Sequence, residues 1–236
     1  VFPDLAAEYI GARGADVLPG RAAESLQPEA AGFGVIAGEE RLQFSHVICA
    51  LPPRRAANLL RGLPGLAETV ASMDAFTASP IWSIYLQYPG TVKLPAPMLG
   101  LAGGLGQWAF DRESLCGQRG LIGVVISGSG SHEALTQEEL ARRVHQELKG
   151  VMPGLPPPAW TRVIAEKRAT IACTPGLHRP PQRTPLPNLF LAGDYTESPY
   201  PATIEAAVRS GVQCARLVLE STRTWPQSTQ TSRSKV

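Results

Sequence analysis

The side chain best placed to do chemistry is Asp194, which follows Gly193 at the end of a short apolar run, Asn188 to Ala192. That run comes after a Pro-rich loop and reads as a buried strand. A loop with Pro199 and Pro201 follows. Ala202 to Glu220 then shows helical spacing, with Ile204, Val208, Val212 or Gly211, Ala215 and Leu219 on one side. Open α/β sheets bind ligands at the carboxyl ends of their strands, beside such helix N-termini. An ionised carboxylate there accepts a hydrogen bond from a ligand hydroxyl, and bonds to charged groups contribute roughly 1.5–3 kcal/mol. Gly193 would let the backbone approach the ligand. The helix opening at Ala202-Thr203 would favour an anion by about 0.3–1 kcal/mol. Taken alone, a strand, Gly-Asp and a helix also describe an ordinary well-packed α/β protein.

Other chemistry-bearing residues are less organised. His46, His132, His145 and His178 lack metal-ligand spacing. His46 reads as a core or hydrogen-bonded residue rather than a base. Cys49, Cys116, Cys173 and Cys214 form no Cys-x-x-Cys pair and read as thiols of a reduced, cytoplasmic protein. Gly104-Leu105-Gly106-Gln107-Trp108-Ala109 fits G-x-G-x-x-A, but a loop precedes it and a strand-like segment follows, so it is set aside. A net charge of +2 with no long basic run gives no sign of a nucleic-acid partner. No apolar run reaches the ~18 residues of a membrane span, and no signal-peptide pattern opens the chain.

The elements around Asp194 can be read in order. The 236 residues suit one or two domains, and 44% hydrophobic content can bury a core. Asp4 to Ala12 reads as a helix, Asp16 to Leu18 as a short strand. Arg21 to Gln27, Gly34 to Ala37, Arg41 to Phe44 and His46 to Leu51 read as further strands, the last closed by Pro52-Pro53. A short helix spans Arg54 to Arg61. Ala78 to Tyr88, Gln107 to Phe110, Leu121 to Ser127 and Trp160 to Ala172 read as strands, and Thr136 to Lys149 as an amphipathic helix with a Thr136/Glu139 capping box. Trp82, Tyr85 and Trp108 fit an ordinary sheet core better than the lining of an apolar tunnel. Arg179 and Arg183 read as solvated, or as facing a ligand. Ser221 to Val236 is polar and reads as disordered.

The spacing from Thr184 to Asp194 resembles the second FAD fingerprint of glutathione-reductase-type flavoproteins. With Pro201-Ala202-Thr203-Ile204-Glu205-Ala206-Ala207-Val208-Arg209-Ser210-Gly211 it resembles the C-terminal signature of the amine oxidase and phytoene desaturase superfamily. Within that, the chain is similar to the squalene-associated FAD-dependent desaturases, or hydroxysqualene dehydroxylases. Tyr195 stands where they carry Trp, and Ala206 where they carry Gly. The resemblance implies a mixed α/β fold: the C-terminal part of a glutathione-reductase-type FAD domain with an inserted β-rich substrate domain, the N-terminal Rossmann βαβ missing. The implied division is 1–60 and 166–220 for the FAD domain, 61–165 for the substrate domain and 221–236 for a tail.

The resemblance further implies that FAD is bound by Ala23, Ala50, Leu51, Gly193, Asp194, Pro201, Ala202, Thr203 and Ile204. Asp194 would meet the ribityl chain, Ala23 the adenine, and Ala50-Leu51 the adenosine-diphosphate moiety. The implied activity is reductive dehydroxylation of hydroxysqualene to squalene, with a carotenoid desaturase or amine oxidase relative as the alternative. A non-catalytic fragment packing against a partner chain is a reading of another class. The expected partners are an isoprenoid lipid and a missing N-terminal half, with peripheral contact at the inner membrane face. Val1-Phe2-Pro3 opens mid-pattern without Met, so the chain is expected to be the C-terminal portion of a longer one.

Overall fold

The computed structural model describes residues 2–224. The chain opens with helix α1 (Phe2–Gly11), in which no residue is buried; Phe2, Leu5 and Tyr9 all lie open. Strands β1 (Ser25–Glu29), β2 (Gly32–Ala37) and β3 (Glu40–Phe44) form an antiparallel meander in that order. The residues from Asp16 to Leu18 form no strand. Strand β4 (Val47–Cys49) then runs into Pro52-Pro53. Proline is tolerated in the first helical turn because its missing N–H would be unpaired there anyway, and α2 (Pro53–Leu60) starts on Pro53. It buries Ala56, Ala57 and Leu60 and packs with α3 (Ala67–Asp74), which buries Val70 and Met73.

Thr77–Ala172 is a second compact unit, described by itself. Its strands are β5 (Ala78–Gln87), β6 (Met98–Gly100), β7 (Trp108–Asp111), β8 (Leu121–Ser127) and β9 (Trp160–Ile171). They make one antiparallel sheet in the order β6-β7-β8-β5-β9. Alternation along β5 gives the sheet two different faces. Ile84 and Leu86, both 0% exposed, join Val124 and Val163 on one face. Helix α5 (Gln137–Val151) covers it with Leu140, Val144 and Leu148, each also 0% exposed. Burying side chains of this size contributes about 1.5–3 kcal/mol apiece. Thr136 caps α5 through its hydroxyl, which accepts from the Glu139 N–H at 3.1 Å. The capping box is only half made, because the Glu139 carboxylate binds Arg142 and Arg143 instead. Between β7 and β8 lies α4 (Arg112–Cys116), capped by Asp111 and ended by Gly117 in the left-handed region (φ 76°).

The chain returns to the first unit at Cys173. Strand β10 (Leu189–Leu191) pairs parallel with β4, Leu189 opposite Val47 and Leu191 opposite Cys49. Helix α6 (Ile204–Thr224) follows. It buries Ala206, Ser210, Cys214 and Leu217. The apolar side read from sequence is a real stripe, but Ile204, Val208, Val212 and Leu219 on it are exposed.

The expected boundaries shift for clear reasons. The first unit runs to Phe76 rather than residue 60, because α3 packs on α2. The second runs to Ala172 rather than residue 165, because β9 pairs with β5 as far as Ile171. Ser221 to Thr224 continue α6 rather than opening a tail; the rest of the expected tail lies outside the described residues.

Candidate functional site: the strand ends of β4 and β10

The three residues of β10 are buried to within 1%. They carry the chain to a turn at Gly193, Asp194 and Tyr195. Ala192 N–H still bonds Cys49 O (3.0 Å), so Ala50 and Leu51 leave β4 at the level where Gly193 and Asp194 leave β10. These four expected site residues therefore share the carboxyl ends of one parallel pair. Ala23 does not join them in that sheet: it is exposed, ahead of β1 on the separate meander.

The turn is fixed from several sides. Gly193 N–H donates to Ser210 Oγ (2.8 Å), and Ser210 Oγ donates to Ala207 O (2.6 Å). The Thr196 hydroxyl donates to Gly193 O (2.9 Å), while the Gln182 amide donates to Thr196 Oγ1 (3.2 Å) and Glu197 O (2.7 Å). Arg179 donates to Tyr200 O (2.8 Å), and Arg183 stacks over the Phe190 ring, so both arginines have structural partners. Gly193 has φ 152°, and a Cβ there would stand 2.5 Å from Cε1 of Tyr195. The glycine is thus required by the Tyr195 ring.

Against this fixed frame Asp194 is half-buried, and its carboxylate has no hydrogen bond or ion pair among the described residues. Tyr195 is 1% exposed, and its hydroxyl has no partner either. Burial pushes the Tyr195 phenol pKa well up, with nearby Cys49, Cys214 and Asp194 adding to it, so the hydroxyl is neutral and able to donate. A buried polar atom left unpaired costs about 1–3 kcal/mol. A free carboxylate beside a donor in need of a partner fits a ligand bearing several hydroxyls, as a flavin's ribityl chain does. Pro201, Ala202, Thr203 and Ile204 open α6. Thr203 is its cap, the hydroxyl accepting from Ala206 N–H at 3.2 Å, and Ile204 is 85% exposed.

Ser210, Gln182 and Arg179 were not read as positioning residues. The first left a signal: Ala206, Ser210, Cys214 and Leu217 are a helical stripe of small or buried residues parallel to the more apolar one. Ala206 is 1% exposed, so its methyl packs inward. In the second unit, the Gly104-Leu105-Gly106 turn does bind a carboxylate, but the chain's own: Glu147 accepts from Leu105 N–H (2.7 Å) and Gly106 N–H (2.9 Å). No His, Cys, Asp and Glu cluster able to hold a metal occurs among the described residues. Trp82 lies on the α5 side of the sheet, edge-on to His132, whereas Tyr85 and Trp108 belong to the opposite face, so the three do not line one tunnel.

A parallel strand pair ending in an unpaired carboxylate, in a unit interrupted by an antiparallel-sheet insertion, is an α/β arrangement that leaves room for a ligand at its strand ends. The sequence pattern described as "Flavin containing amine oxidoreductase" matches residues 2–219, and the chain belongs to that family. FAD is the cofactor that membership brings. The chain is 33% identical over 233 residues to the hydroxysqualene dehydroxylase of Rhodopseudomonas palustris, covering 94% of this chain and 51% of that protein. It is 30% identical to the probable zeta-carotene desaturase of Synechococcus elongatus over 44% of this chain and 23% of that one. A cofactor-site variant of putrescine oxidase superposes with a TM-score of 0.67 at 16% identity, covering 92% of this chain and 52% of the other; this likeness is one of fold. The chain spans about half the length of the curated hydroxysqualene dehydroxylase it matches.

Proposed function

We propose that this chain is the C-terminal portion of an FAD-dependent oxidoreductase that converts hydroxysqualene to squalene. The observation that carries the reading is the extent of likeness: 94% of the chain aligns with a hydroxysqualene dehydroxylase, against 44% with a carotene desaturase. When bound in its reduced form, FAD supplies a hydride to the carbon that loses its hydroxyl, and the hydroxyl leaves with a proton as water. Asp194 would accept from the ribityl hydroxyls, Tyr195 would donate beside it, and Ala50, Leu51 and the start of α6 would border the cofactor. Ala23 is kept as a contact to the adenine end. The first unit is read as part of the FAD domain and the second as the substrate domain.

The missing portion is read as a strand, Gly-rich turn and helix that hold the pyrophosphate. Two features support this. Parallel sheets are normally covered on both faces, yet among the described residues β4 and β10 form only a pair. The stripe of Ile204, Val208, Val212 and Leu219 on α6 is exposed, and Gly211 beside it has open space where a Cβ would be. The water-insoluble substrate also implies reversible contact with a membrane surface; no described helix is long and apolar enough to cross one.

The test is a single-turnover assay. The full-length protein is loaded with FAD, reduced, mixed with hydroxysqualene in detergent and extracted for mass spectrometry. Squalene should form in step with flavin oxidation. Flavin that stays reduced with hydroxysqualene, while oxidised enzyme desaturates a carotene, would establish the desaturase reading instead. Full-length protein that takes up no FAD would point to a chain that only packs against a partner.

A further inference from the structure

A depression of about 230 Å³ lies wholly within the second unit, on the sheet face away from α5. Ser83 and Tyr85 of β5, Phe110 of β7 and Gly123 of β8 line it, with Arg112 and Leu115 of α4. A Cβ at Gly123 would have Tyr85 Cε1 at 3.5 Å and Arg112 Cδ at 3.9 Å, so phenol and guanidinium stem converge over this glycine. Arg112 Nε donates to Gln118 Oε1 (3.0 Å). The Arg112 Nη atoms, Tyr85 Oη and Ser83 Oγ have no hydrogen-bond partner among the described residues. The rest of the lining is apolar.

We propose that this pocket takes the hydroxyl-bearing segment of an isoprenoid alcohol, Arg112 donating to the hydroxyl oxygen and Tyr85 or Ser83 completing its hydrogen bonds. The assignment rests on the function proposed above and names the residues that select the substrate. An alcohol oxygen needs one or two donors and one acceptor, which these side chains supply. A diphosphate would call for several charge-assisted bonds, and Arg112 is the one cation in the lining. The volume is below the ~300–1,000 Å³ of pockets that enclose a whole drug-sized ligand, so one segment of the chain enters. The remainder has apolar neighbours to follow on either side of Ser83 on the same face. Trp108 pairs with Val125, Val125 with Ser83 and Ser83 with Ile164, and both Trp108 and Ile164 are exposed.

The experiment compares three ligands on the full-length holoenzyme: hydroxysqualene, squalene and farnesyl diphosphate, in the same detergent. Affinities are read by tryptophan fluorescence quenching, so they do not depend on turnover. Arg112→Met should weaken hydroxysqualene tenfold or more while moving squalene less than twofold. Leu115→Trp, a change at an exposed position that fills the pocket, should weaken both. Farnesyl diphosphate should compete no better than squalene. Equal weakening of alcohol and hydrocarbon by Arg112→Met, no effect of either substitution, or a diphosphate that displaces hydroxysqualene more effectively than squalene does, overturns the assignment. Conversion by the unsubstituted enzyme tests the function separately: a protein that converts hydroxysqualene but ignores Arg112→Met loses this inference and keeps that reading.

Discussion

Ser210 is 3% exposed and holds the Gly193 N–H at 2.8 Å. Ser210→Ala removes the acceptor without leaving a sizeable cavity. Ala207 O loses only a second donor, since its place in the α6 ladder remains. The net effect is one shielded N–H without a partner, which costs about 1–3 kcal/mol. With a urea slope of about 2 kcal/mol/M, the midpoint of the first unit's transition should fall by about 0.5–1.5 M. The same free energy should speed hydrogen exchange of the Gly193 amide about 5- to 150-fold when exchange runs through local opening. Ser129→Ala, at an exposed position, is the control and should stay within about 0.5 kcal/mol. The assay is exchange mass spectrometry on the FAD-loaded full-length protein, with urea titration alongside. A Gly193 amide that exchanges at the unsubstituted rate, with an unmoved midpoint, would refute the claim that this bond anchors the turn.

Three further outcomes are expected. Gly193→Ala should cost about 2–5 kcal/mol in a urea titration, from a strained φ plus crowding against Tyr195; a loss below about 1 kcal/mol would show that the turn relaxes freely. Asp194→Ala should weaken FAD retention in the full-length protein by about 1.5–3 kcal/mol, and an unchanged FAD titration would remove Asp194 from the site. His145 is held below its ordinary pKa, first by burial and then by Lys149, so folding favours its neutral form. Its contribution is present above about pH 6.5 and is lost as pH falls towards the folded value, because the unfolded chain takes up the proton first. His145→Gln should therefore flatten the fall in melting temperature between about pH 7 and pH 5; parallel curves would contradict this.

Where local pattern and tertiary packing agree, the chain can be read directly. Trp160 to Ala172, Leu121 to Ser127 and Thr136 to Lys149 emerge within two residues of their expected limits: the second is an unbroken apolar run, the first is rich in β-branched and aromatic residues towards its ends, and the third repeats Leu140, Val144 and Leu148 every four residues. Helix α3 was missed because AETVASMD has no clear apolar face until Val70 and Met73 meet α2. Strand β6 is three residues long and exists by pairing with β7. The Gly-Asp turn was legible as a turn at the end of a buried strand, but the packing that requires Gly193 was not. That packing is against Tyr195, two residues away, whose ring position depends on burial beside Phe76. On α6 the more hydrophobic stripe, Ile204, Val208, Val212 and Leu219, lies exposed. The buried stripe instead carries Ser210 and Cys214, whose polar atoms bond Gly193 N–H and Leu191 O at the end of β10.

The two ends of the inserted unit touch: Ala172 N–H donates to Thr77 O at 2.8 Å. This bears on how the molecule reaches its native state. Pairing β4 with β10 closes one of the longest loops in the chain, and contacts that distant slow a search. Once residues 77–172 have condensed, that loop is short-circuited, and the stretch of flexible chain still to be closed is roughly a third as long. Loop-closure entropy grows only with the logarithm of length, so the gain is about 1 kcal/mol. It falls on the step that brings Asp194 beside Ala50. The insertion therefore acts as a splint, and a defect in its core would first show as delay in assembling the other unit.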